Sequence, residues 1–112
     1  MSDFATGRVV NSVIRERWRQ EEKCAAKRDE GHDWLTCADP RNTDGTRLTI
    51  LLEEVGEVAQ ELNDARGEGR PIHLGRLRNE LVQVAAVAVA WCEAIDVDIA
   101  RWQAFVGEQE AA

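Results

Sequence analysis

Tyrosine is absent from this 112-residue chain, prolines and histidines number two each, and aromatic residues make up only 5%. A chain so poor in β-favouring aromatics and in proline turns does not read as an all-β domain. The three cysteines, Cys24, Cys37 and Cys92, are scattered and form no CxxC pair. That pattern excludes a disulfide framework and a Cys/His zinc site, and reads as three reduced thiols. The longest nearly apolar run, Leu81 to Cys92, is twelve residues and contains Gln83, too short to cross a bilayer. No basic stretch followed by an apolar one opens the chain, so no signal peptide is expected and the expected compartment is the cytoplasm. Basic residues are the minority, 14 against 21 acidic, for a net charge of −7. A nucleic-acid backbone is excluded as the main partner, since its binders carry a basic patch. A nucleotide stays open, because a bound cation reverses the local sign.

Alanine, glutamate, arginine and leucine dominate the remainder, and 44% of residues are hydrophobic. This composition favours helix and supports a core. The expected fold is all-α: one domain over 1–112, an antiparallel bundle of about four helices. A helical chain this small buries little by itself, so a homo-oligomer, dimer or tetramer, is expected to supply the rest. Val9, Val13, Ile14 and Trp18 mark an amphipathic helix from Arg8 to about Glu30, with Gly31 as its stop. His32 to Gly45, rich in Asp, Asn, Thr, Pro and Gly, is a loop of the length that often carries function. Leu48, Leu51, Leu52, Val55, Val58, Ala59 and Leu62 draw a second helix over Thr46 to Arg66, ended by Gly67 and Gly69. A third helix runs from Pro71 to about Ile95, apolar all round from Val84 to Cys92, which predicts burial on every side. A short fourth helix is expected near Asp98 to Val106.

The segment Leu51 to Asp64, "LLEEVGEVAQELND", gathers five acidic side chains beside six Leu, Val and Ala residues. Glu54 and Glu57 share a helix face, Glu61 extends it, and Glu53 flanks it. Carboxylates ~4 Å apart repel by about 4 kcal/mol at an effective dielectric near 20, tolerable in water and costly beside a core. The third helix offers Glu80 and Gln83, again three apart. A short connector favours antiparallel packing of the two helices, which lets Glu54, Glu57, Glu80 and Gln83 converge. Hard oxygen ligands suit Mg²⁺ or Mn²⁺. A di-iron site needs Glu-x-x-His pairs, and neither His32 nor His73 follows a glutamate by three.

At these residues the sequence resembles the MazG-like, all-α nucleoside triphosphate pyrophosphohydrolase superfamily, which includes dimeric dUTPases and dCTP pyrophosphatases. Its signature is ExxE, a spacer, then ExxD. Glu54 and Glu57 supply the first pair, 22 residues intervene, and "LRNELVQVAAVAVAW" is similar to the second metal-binding helix. The likeness covers Leu48 to Ile95; "RQEEK" and "TCADP" resemble small members more loosely. The resemblance implies that Glu54, Glu57 and Glu80 hold Mg²⁺, with Gln83, which replaces the signature's Asp, as a neutral fourth ligand. It implies cleavage of a (d)NTP to the monophosphate and pyrophosphate, with Glu53 orienting the attacking water. Phosphate-binding cations would come from Lys23, Lys27, Arg47, Arg76 and Arg78, and Trp34 would stack on the base. The neutral Gln83 also supports an alternative: a catalytically degenerate helical module that binds nucleotide or a protein partner. A plain acidic oligomerisation module is the third reading.

Overall fold

The computed structural model describes residues 3–111, which form three helices: α1 (Asp3–Asp29), α2 (Asp44–Gly67) and α3 (Leu74–Ala111). Among the described residues there is no strand. The all-α expectation holds, but the expected third and fourth helices are one rod of 38 residues, about 57 Å long. Asp96, Asp98 and Gly107 are weak helix formers, yet none lacks a backbone N–H. Their propensity cost, up to about 1 kcal/mol each, is less than that of stopping and renucleating a helix. Pro71 is not the first turn of α3 but part of the connector before it. The helix starts after His73, whose Nδ1 accepts from the Arg76 N–H at 3.1 Å.

Glycine stops the first two helices. Gly31 (φ 93°) and Gly69 (φ 64°) occupy the left-handed region, where a side chain costs about 1–2 kcal/mol. At each end two amide groups turn back onto free carbonyls. Gly31 N–H donates to Arg28 and His32 N–H to Lys27; Gly69 N–H donates to Arg66 and Arg70 N–H to Ala65. Gly67, read as part of the stop, is the last residue of α2.

Both other helices pack on α3. α2 runs antiparallel to it, as Trp91 opposite Asp44 and Glu80 opposite Glu57 establish. α1 crosses α3 in the same sense, with Ser12 against Arg78 and, further along, buried Arg17 against Glu93. The bundle is therefore antiparallel only in its α2–α3 pair. Among the described residues no Cα of α1 comes within 8 Å of one in α2. Small residues at four-residue spacing, Ala86, Ala90 and Ala94, are the buried line of α3, and they let backbones approach closely. The loop between α1 and α2 docks there: buried Cys37 packs on Val87 and Ala90, with Ile50 and Leu51 alongside.

Much apolar surface stays uncovered. The accessible area is 8133 Å², against roughly 6,200 Å² for a globular chain of this mass. The radius of gyration is 17.9 Å, against about 13 Å. Val89 and Cys92 are exposed, so the expected burial on every side of the Val84–Cys92 run is not met within one chain. Among the described residues no helix is long and apolar enough to cross a membrane.

Thr43 caps α2, its hydroxyl accepting from the Thr46 N–H at 3.1 Å. Thr43→Ala is expected to lower unfolding stability by about 1 kcal/mol in urea titration, and Thr43→Ser to leave it nearly unchanged. An unchanged midpoint for the alanine variant would remove the cap from the account.

Candidate metal centre

Glu54 and Glu57 stand one turn apart on α2, and Glu80 sits in the second turn of α3. The antiparallel pairing brings one carboxylate oxygen of each within 4.8 Å of the others. At that separation each ionised pair repels by roughly 3 kcal/mol at an effective dielectric near 20. Glu54 and Glu80 are half-buried and Glu57 is exposed. Oε2 of Glu54 and Oε2 of Glu80 are buried with no hydrogen-bond partner. Buried acceptors normally find a donor, so orphaned oxygens on Glu54, Glu80 and the neighbouring Glu61 (Oε1) are a specific signal.

The electrostatics follow from that crowding. Burial, then the Glu57 charge, a proton-sharing contact with Glu57 and the charges of Glu80 and Glu16 push Glu54 up to about 7. Glu80 is raised by burial first, then by hydrogen bonding to Glu57 and the charges of Glu57, Glu61 and Glu16. Two further carboxylates thus belong to the knot. Glu61 had been placed on the Glu54–Glu57 line; it is mostly buried, with Arg70 Nη1 3.9 Å away. Glu16 of α1 was not anticipated. It is buried and held by Arg19 Nη2 at 2.7 Å. Its signal is an acidic residue three after Val13, in line with the apolar positions of α1.

Beside the knot lies a cleft of about 420 Å³, lined by Lys23, Trp34, Ile50, Glu53, Glu54 and Val87 among others, a volume in the range of small-molecule sites. Lys23 Nζ and Lys27 Nζ lie 5.7 and 5.4 Å from the Trp34 ring centroid, within cation–π reach. Arg28 donates to the Trp34 carbonyl at 3.0 Å and so fixes the loop that presents the indole. Glu53, Lys23 and Trp34 therefore come together with Glu54, as expected of one site. Gln83 is part-buried on α3, one turn beyond Glu80.

Three expected phosphate cations sit elsewhere: Arg47, Arg76, and Arg78, which lines a separate cleft between α1 and α3. Arg47, seven residues and so two turns before Glu54, falls on the Glu54 face by helix spacing, yet it is 4% exposed. Its guanidinium donates to the carbonyls of Cys37 (2.7 Å) and Asp39 (2.9 Å) and to Asp44 Oδ1 (2.9 Å). Buried loop carbonyls need donors, and Arg47 meets that need; it positions the loop. Arg76 is exposed in the first turn of α3 and is not among the residues lining the Trp34 cleft.

The donor set fits a hard divalent cation: oxygens alone, two of them orphaned, with a mutual repulsion that a double positive charge would reverse. Compared with known proteins, the chain matches no family model, no curated protein and no solved structure.

The raised Glu54 value has a definite consequence for the metal-free protein. Its folded value of about 7 lies above the ordinary 4.5, so the folded state binds the proton more tightly than the unfolded one. That stabilisation is complete below about 4.5 and is lost as pH rises through about 7. In chelator, the melting temperature is expected to fall across this window, and Glu54→Gln to flatten the fall. Parallel slopes for the two proteins would refute the assignment.

Proposed function

We propose that the protein is a Mg²⁺-dependent nucleotide pyrophosphohydrolase that cleaves a (d)NTP to the monophosphate and pyrophosphate. The observation that carries this reading is the pair of orphaned oxygens on Glu54 and Glu80, set with Glu57 beside a cleft lined by Trp34 and Lys23, with Lys27 over the same ring. Glu54, Glu57 and Glu80 hold the cation, with Gln83 lending a neutral carbonyl oxygen; Mn²⁺ satisfies the same ligands. When bound, the ion neutralises phosphate charge and favours deprotonation of the attacking water. Trp34 stacks on the base, and Lys23 and Lys27 at its face attract the α-phosphate. Glu53 orients the water and takes its proton. The water oxygen bonds to the α-phosphorus, the bond to the bridging oxygen breaks, and its electron pair leaves with pyrophosphate.

The same reading makes the working unit a homo-oligomer, a dimer or tetramer, in the cytoplasm. Leu48, Leu52, Val55 and Leu62 form an exposed stripe on α2. Leu74, Leu81, Ile95 and Trp102 recur at multiples of seven along α3 and are likewise exposed. Such spacing is that of helices packed side by side. Two copies of the α2–α3 pair, face to face, make the antiparallel four-helix core that a single chain lacks. The excess of roughly 1,900 Å² over a globular chain exceeds the ~800 Å² per partner of a standard interface.

Gln83 supports a second reading, a module that binds nucleotide or a protein partner without turnover, because glutamine removes one negative charge from the cage. The two readings part in one assay. Wild-type protein with Mg²⁺ is expected to release pyrophosphate from at least one member of an NTP and dNTP panel, and Glu54→Gln or Glu80→Gln to lower the rate at least about a hundredfold. Activity that appears only in Gln83→Asp assigns the wild type to the binding module. Folded protein with no product in Mg²⁺ or Mn²⁺, in either form, ends the hydrolase reading.

Mg²⁺ at a hundred times its dissociation constant is further expected to stabilise the fold by about 2.7 kcal/mol, read as a rise in melting temperature. Glu57→Gln is expected to diminish that rise. A melting temperature indifferent to Mg²⁺ in the wild type would leave the carboxylates a merely acidic surface.

A further inference from the structure

Nearer the start of α1 than the Trp34 cleft, a second cleft of about 250 Å³ opens between α1 and α3. Arg15 and Arg19 enter it from α1, and Arg78 from α3, together with Ser12, Glu16 and Asn79. In a chain of net charge −7, three guanidinium groups facing one buried carboxylate are a local reversal of sign. Arg19 is held by Glu16, with Nε 2.8 Å from Oε2. Arg78 Nη2 donates to the neutral Ser12 hydroxyl at 3.0 Å. Among the described residues neither Arg15 nor Arg78 makes an ion pair. Two of the three cations are thus positioned, and two of the three charges are unanswered.

Glu16 joins this cleft to the carboxylate knot: it lines the one, and its charge is felt by Glu54 and Glu80 of the other. Asn79 immediately precedes Glu80. An anion placed among the arginines therefore adjoins the knot, on a path separate from Trp34. Guanidinium forks match phosphate oxygens two at a time, and such anions are what an arginine-lined, water-open cleft selects.

We propose that this arginine cleft binds the pyrophosphoryl end of the nucleotide, and pyrophosphate after cleavage, with Arg15, Arg19 and Arg78 as positioning residues. The proposal rests on the hydrolase reading and divides the substrate across the knot. Base and sugar lie in the Trp34 cleft, the α-phosphate at the carboxylates, and the β- and γ-phosphates among the arginines. As the bridging bond breaks, the electron pair moves onto the oxygen that departs with the β-phosphate, and the arginines face that growing charge.

Product inhibition tests the division directly. Using full-length protein with Mg²⁺, inhibition by inorganic pyrophosphate and by the nucleoside monophosphate is compared for wild type, Arg15→Gln/Arg78→Gln and Arg101→Gln, a control on the exposed end of α3. The double variant is expected to need about tenfold more pyrophosphate for half-inhibition, while the monophosphate value stays within about twofold, since two charge-assisted contacts are lost from one product only. Arg15→Lys/Arg78→Lys, which keeps charge without the fork, is expected to fall between. Circular dichroism and melting temperature establish that each variant is folded. Equal shifts for both products, or none, overturn the arginine cleft while leaving the hydrolase reading intact. If no nucleotide is cleaved, calorimetric titration of pyrophosphate with Mg²⁺ decides. Binding weakened about tenfold in the double variant keeps the cleft as an anion site and removes the hydrolase reading. No binding by wild type removes both.

Discussion

Repulsion among carboxylates is the constraint around which this chain is built. Glu54, Glu57 and Glu80 approach one another because α2 and α3 are forced side by side, not because the groups attract. The forcing comes from small residues. Ala86, Ala90 and Ala94 on α3 permit a close approach that larger side chains would prevent, and the short connector from Glu68 to His73 keeps α2 beside α3. The same small residues have a cost. They bury little area each, so the packing that holds the acidic groups together is thin, and among the described residues no large side chain reaches full burial. Repulsion of several kcal/mol against a thin core is a poor balance for an isolated chain. On the proposed function, a cation at the knot and a second copy over the exposed stripes would act on the two sides of that balance.

The loop between α1 and α2 is held by an unusual commitment of charge. Arg47 is buried to bind the carbonyls of Cys37 and Asp39, and Asp44 receives both Arg47 and the Trp91 indole N–H. One carboxylate at the start of α2 thus ties loop, α2 and α3 together. The result is a wall for the cleft: Leu35, Thr36 and Cys37 line it, and Trp34 stands at its edge with Lys23 and Lys27 over the ring. A guanidinium that is fully buried loses access to any ligand but gains the power to shape one. Arg47 shapes the cleft by fixing the loop that follows Trp34.

Helix identity was legible because the apolar spacing of Leu48 to Leu62 and of Leu74 to Ile95 admits no other period. The convergence of Glu54, Glu57 and Glu80 was legible too, since two i, i+3 pairs on neighbouring antiparallel helices have few ways to meet. Three features were not. The continuity of α3 through Asp96 and Asp98 depends on the cost of renucleation, which local propensity does not contain. The fate of Arg47 depends on which loop carbonyls end up buried, a tertiary fact that counting turns cannot reach. Glu16 was hidden because an acidic residue in a charged helix resembles its neighbours until the packing of α1 shows which one points inward. Sequence spacing reports a helix face; it does not report what another helix brings to that face.

Glu16 also explains why the site needs α1 at all. A cation held by α2 and α3 alone would face open water on the third side. α1 supplies a buried carboxylate, Glu16; although Arg19 pairs with it, its negative charge still raises Glu54 and Glu80. The pairing leaves Arg15 and Arg78 as the outward charges of the same corner. Acidic and basic groups meet at this corner without cancelling: Glu16 takes Arg19, and the knot keeps its own charge. On the proposed function, that placement of opposite charges would serve phosphoryl chemistry, and it follows from the positions of residues 15, 16 and 19 on α1.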